Sequence, residues 1–248
     1  MLRSSNPILS EKVFSSRWAQ SSNQVMTLGG TVNKCWLMLV LVLLSASYTW
    51  GLYFTAGQVA AVQAWTFGGM IVGLIAGLVT IFKRTAAPIS APIYAIAQGF
   101  FLGGISSIFE AQYPGIVFQS IILTFGTLFS LLFAYKSRII QVTDSFRLGV
   151  MSATGGLAIV YGLSIILGLF GIQLPFIFSN GLFGIGFSVF VVTIAALNLV
   201  MDFDFIEKAA QSQQAKYMEW VAAFGLMATL IWLYVEILRL LTKLRSRD

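Results

Sequence analysis

The stretch LNLVMDFDFIEK, residues 197–208, ends a long apolar run with Asp202, Asp204, Glu207 and Lys208, and so holds three of the nine acidic residues in the chain. Ionisable groups at membrane depth are costly and mark pairing or function, which makes these carboxylates the first candidates for chemistry. Two residues apart, Asp202 and Asp204 lie about 200° around a helix and cannot face the same neighbour. Asp202 sits one turn beyond Asn198, so those two polar groups share a face. Asp204 continues the face of Thr193 and Leu197 and is expected to meet Glu207 at i,i+3. The plain alternative is that all three decorate a helix end, although acids at a helix C-terminus oppose its dipole.

Other chemistries are narrowed by residue types. Histidine is absent, which excludes a Ser-His-Asp triad, zinc hydrolysis through paired histidines, and histidine-ligated haem. Cys35 is the single cysteine and forms neither an internal disulfide nor a thiolate metal site. No Gly-Lys-Ser/Thr of a phosphate-binding loop occurs, and no Gly-x-Gly-Asp of an intramembrane aspartyl protease. The chain is expected to be no enzyme and to carry no cofactor.

Composition sets the class. The 248 residues are 58% hydrophobic and 10% charged, with a mean hydropathy of +0.86, whereas a soluble domain carries about 25% charged residues. Such a chain cannot solvate a water-exposed surface, so an integral membrane protein is expected. A net charge of +6 and a pI near 9.6 raise nucleic acid as a partner. The bases argue against it: they gather in the N-terminal tail, in short gaps and at the C-terminus, which is how a membrane protein orients its helices.

The spacing predicts an all-α, seven-helix bundle with spans at Cys35–Phe54, Ala64–Phe82, Ile89–Phe109, Gly115–Tyr135, Leu148–Ile172, Gly181–Met201 and Trp220–Leu241. Each is close to the ~20 residues that cross a bilayer. Residues 1–34 read as a polar cytoplasmic tail, 35–241 as the transmembrane domain and 242–248 as a basic tail. Bases after spans 2 and 4 (Lys83, Arg84, Lys136, Arg138, Arg147) place those gaps and the N-terminus in the cytoplasm. The basic C-terminal tail falls on the other side, against the same rule, and is expected to be outvoted. Gly69, Gly73 and Gly77 recur every four residues, as do Gly99 and Gly103, a spacing for close static helix packing.

Partners for the acids follow from this topology. Lys83 and Arg84 end span 2 on the side of Asp202, so a charge pair is allowed. A nearby base favours the charged carboxylate and withdrawal from water favours the neutral acid, which makes Asp202 a candidate switch. Glu110 is expected to be a solvated mouth residue. Glu236, three residues before Arg239, reads as an interfacial intrahelical pair, and Glu219 similarly.

Seven spans, the basic break after span 2, IYAIAQGFFLGGISSIF in span 3, MDFDFIEK in span 6 and a final Leu-Arg-Leu-Leu together make the chain similar to the transmembrane Bax inhibitor motif family, over roughly residues 34–244. The N-terminal tail and the gap between spans 6 and 7 resemble its bacterial branch. The resemblance implies a seventh helix near the bundle centre and a pH-sensitive calcium or other cation leak. In that family an aspartate pair from helices 6 and 7 gates the path, with an arginine ending helix 2 as latch. Matched onto this chain, the first aspartate falls on Asp202, with Asp204 the lesser candidate, and the latch on Lys83 or Arg84. The second falls on Thr229 if Leu-Arg-Leu-Leu is the anchor, or on Glu236 if YVE is. Counting residues from a turn near 213 offsets Thr229 from Asp202 by about 8 Å and Glu236 by about 18 Å, which favours Thr229. A carboxylate–threonine–base cluster is therefore expected in place of two carboxylates.

These implications define the expected function: a calcium leak in a bacterial inner membrane, with Ca2+ as the transported ion and its path near Asp202. The alternative is a regulator that binds other membrane proteins, such as a membrane-anchored quality-control protease, through the polar tail. Residues 1–33 are expected to be dispensable for flux under the leak reading, whereas under the regulator reading their removal is expected to abolish partner binding. The lipid bilayer is the expected partner in either case.

Overall fold

Thr27 opens the first helix: its backbone is extended and its hydroxyl accepts the Gly30 amide at 2.9 Å, capping α1, Leu28–Phe54. In this computed structural model, which describes residues 25–57, 59–171 and 179–246, six further long helices follow. They are α2 (Val59–Phe82), α3 (Ala87–Gln112), α4 (Ile116–Lys136), α5 (Asp144–Leu169), α6 (Leu182–Gln211) and α7 (Met218–Arg245), with a short 3-10 turn at Arg84–Ala86 before α3. All seven are long and apolar enough to cross a membrane. The expected all-α, seven-helix architecture is what the chain adopts among the described residues.

The bounds differ from the sequence expectation where polar residues lie inside helices. α1 starts at Leu28, so residues 28–34 are helix rather than tail, while residues 1–24 lie outside the described part. α6 runs on to Gln211, so Asp202 and Asp204 sit within a continuous helix and not at its mouth. α7 reaches Arg245, taking most of the expected basic tail into helix.

Small residues let the first three helices close on each other. A Cβ on Gly99 would run into Ser45 and the Val42 carbonyl of α1, and one on Gly103 into Thr49 and Ala46. On the other face of α3, a Cβ on Gly69 would meet the α3 backbone, and one on Gly73 would meet Gln98. The glycine spacing therefore serves tight packing, with no side chain to hold the backbones apart.

α7 is the most buried span and packs against α1, α3, α4 and α6. Its Ala223, Phe224, Met227 and Ile231 join Met38, Ala91 and Tyr94 of α1 and α3 in one core. On its other side Leu230, Leu233 and Ile237 meet Ala195, Leu199 and Phe203 of α6. α5 lies at the edge, packed on α6.

Candidate functional site

The two aspartates face opposite ways, as their spacing requires. The Asp202 carboxyl points at α7, where Thr229 is a polar neighbour and the open flank of Gly225, one turn earlier, would place a Cβ 3.8 Å from Oδ1. Cys35 of α1 lies within electrostatic reach of the same carboxyl. Its second oxygen, Oδ2, is buried and has no hydrogen-bond partner among the described residues. Asp202 lies about 14 Å along α6 from Gln211, and Thr229 about 16 Å along α7 from Met218, so the two groups are level. A buried polar atom left unpaired costs roughly 1–3 kcal/mol, more if charged.

Asp204 is buried and ion-paired on the α5 side. Its Oδ2 accepts from Arg147 at 2.7 Å and from Lys208, one turn on, at 2.8 Å. Glu207, expected to meet Asp204, accepts from the Tyr135 hydroxyl at 2.6 Å and from Gln211 at 3.1 Å. Like charges at i,i+3 repel, and each acid finds its own donor. Asn198, expected to share a face with Asp202, donates to Thr154 of α5 at 2.8 Å.

The basic candidates separate. Arg84 lines a cavity with Arg147, Asp204 and Lys208, and Lys83 is exposed. Among the described residues no ion pair joins either base to Asp202. Glu236 is buried elsewhere, bound to Arg239 at 3.1 Å and to the Tyr161 hydroxyl at 3.1 Å. It is the intrahelical pair its spacing suggested, with an added tie to α5. The structure thus brings Asp202 and Thr229 together, gathers Asp204 and Arg84 in a second place, and leaves Lys83 and Glu236 outside both.

Two acids do more than their positions in the sequence indicate. Glu219 is fully buried and accepts from Lys34 at 2.5 Å, and from the Thr27 amide and hydroxyl at 3.0 Å each, fastening α7 to the start of α1. Glu110 is no free mouth residue: it caps α4, accepting the Gly115 amide at 2.6 Å and the Val117 amide at 3.0 Å. Sequence reasoning missed Lys208 and Gly225, although the i,i+4 spacing of Asp204 with Lys208 and of Gly225 with Thr229 is a signal that could have found them. Arg147 and Lys34, remote in sequence from their acids, carried no such signal.

Seven apolar helices with an ionisable group buried between two of them define a polytopic membrane protein. The family model described as Bax inhibitor 1 like matches residues 6–246. The chain belongs to that family and is an integral multi-pass membrane protein. Neither a curated protein nor a solved structure gives a significant match to it.

Proposed function

We propose that the chain is a pH-sensitive cation leak, calcium being the ion that the family resemblance suggests, with Asp202 as its titrating group. The observation that carries this reading is the unpartnered, buried Oδ2 of Asp202 beside Gly225 and Thr229. A cation alongside a carboxylate favours its charged form over the protonated one. Proton and cation therefore compete for one oxygen pair, with the Thr229 hydroxyl able to donate to the anion or accept from the acid. Oxygen ligands of this kind suit hard cations such as calcium. The bundle end that carries Lys83, Arg84, Lys136, Arg138 and Arg147 faces the cytoplasm by the positive-inside rule, in a bacterial inner membrane.

The test is calcium flux into liposomes holding the purified chain, scanned across pH. Asp202→Asn is locked in a form resembling the protonated acid. Its flux at every pH should therefore match the low-pH limit of the parent. Asp204→Asn, whose carboxylate faces α5, should alter the profile far less. An unchanged profile in Asp202→Asn sinks the reading. A parent that conducts nothing but co-purifies with a membrane protease favours the regulator instead.

A further inference from the structure

Beside the buried site, at the end of the bundle where α6 turns into α7, lies a cavity of about 460 Å3. Its charged lining is Arg84, Arg147, Lys208 and one carboxylate, Asp204. Arg147 and Lys208 both point at the same oxygen of that carboxylate, at 2.7 and 2.8 Å. Arg84 makes no ion pair among the described residues. Three positive charges therefore surround one negative charge. Arg147 also stands in the first turn of α5, where the helix dipole already disfavours a cation and favours an anion.

We propose that this cavity binds a phosphate group, held by Arg84, Arg147 and Lys208, with Asp204 orienting two of the bases until the ligand arrives. A phosphate monoester carries close to two negative charges near neutral pH, which matches the surplus. Its tetrahedral oxygens can be shared among several donors, and guanidinium groups bind them bidentately. Ser212 and Gln214 add neutral polar residues to the same lining. The volume exceeds that of a bare phosphate and lies within the range of small-molecule sites, leaving room for a glycerol or sugar. Phe205, 46% exposed, forms an apolar margin. The phosphate group belongs either to a lipid headgroup, with acyl chains passing Phe205, or to a soluble phosphate. This proposal stands apart from the leak reading, which rests on Asp202.

The experiment measures binding of fluorescent phosphatidic acid to the full chain in neutral-detergent micelles, with phosphatidylcholine as the zwitterionic control and inorganic phosphate as competitor. The parent should bind saturably. Arg84→Gln breaks no ion pair, keeps the melting temperature and should weaken binding about tenfold or more. Asp204→Asn removes the competing carboxylate and should tighten it. Lys136→Gln, an exposed base outside the cavity, should leave it unchanged. Displacement by inorganic phosphate assigns a soluble ligand; binding of lipid that phosphate does not displace assigns a headgroup. Either result supports the site. Absence of saturable binding, or equal losses in Lys136→Gln and Arg84→Gln, overturns it by reducing the effect to diffuse attraction.

Discussion

Glu219 shows what a single residue contributes. Its carboxylate is fully buried and paired with Lys34, whose side chain is 18% exposed. Removing one partner of a buried pair strands the other charge and costs roughly 3–5 kcal/mol. Lys34→Ala should fall at the lower end of that range, because the Thr27 amide and hydroxyl remain to bind the carboxylate. The double variant Lys34→Ala, Glu219→Gln should regain part of the loss; melting in detergent measures both. The same contacts revise the expectation that residues 1–33 are dispensable for flux. Trimming that far removes Thr27 and the first turn of α1, so a neutral truncation has to stop before Val25. At this scale, what was legible was angular. The spacing of Asp202 and Asp204 gave their opposite facing, whereas the i,i+3 reading of Asp204 with Glu207 passed over Lys208, one residue further on. Arg147 and Lys34 were not legible, because pairing across 57 and 185 residues is a property of the assembled bundle.

At the scale of elements, all seven helices were legible, because hydropathy marks a span whatever its neighbours. Their ends were less so. Hydropathy stops at the first charge, whereas backbone hydrogen bonding carries α6 on to Gln211. The first turn of α1 holds Gly29 and Gly30, although glycine is a poor helix former. Gly30 is there for another reason: a Cβ would occupy the place of the Glu219 carboxylate. The packing glycines allow a direct test. Gly103→Ala drives a methyl into Thr49 and the Ala46 backbone and should cost about 1–3 kcal/mol. Gly126→Ala meets open space and should be neutral or slightly stabilising, since alanine favours helix. Equal melting temperatures for the two variants would show that α1 and α3 have freedom to separate.

For the whole molecule, the bases near the C-terminus are held by hydrogen bonds within the bundle. α7 begins beside Thr27 and Lys34 and ends at the opposite end of the bundle, where Arg245 donates to the Pro114 carbonyl at 2.8 Å. Lys243 donates to the Gly184 carbonyl at 3.0 Å and to Ser188 at 2.9 Å, and Arg239 binds Glu236. Bases anchored in this way no longer weigh against a full crossing. In a Cys35→Ser background, Ser246→Cys should therefore react with an impermeant thiol reagent added outside intact cells. Protection until the cells are lysed would place the end of α7 inside. The contact of Thr27 and Lys34 with Glu219 also has a consequence in time. At about 5–20 residues per second, the ribosome finishes α7 some 10–40 s after it makes Lys34. Throughout that interval α1 waits in the membrane without its ionic partner, and the helix that completes the bundle is also the one carrying Glu219, Glu236, Arg239 and Lys243. Closure of the molecule thus waits for α7, and a chain stopped short of α7 would present the quality-control machinery with an unfilled centre.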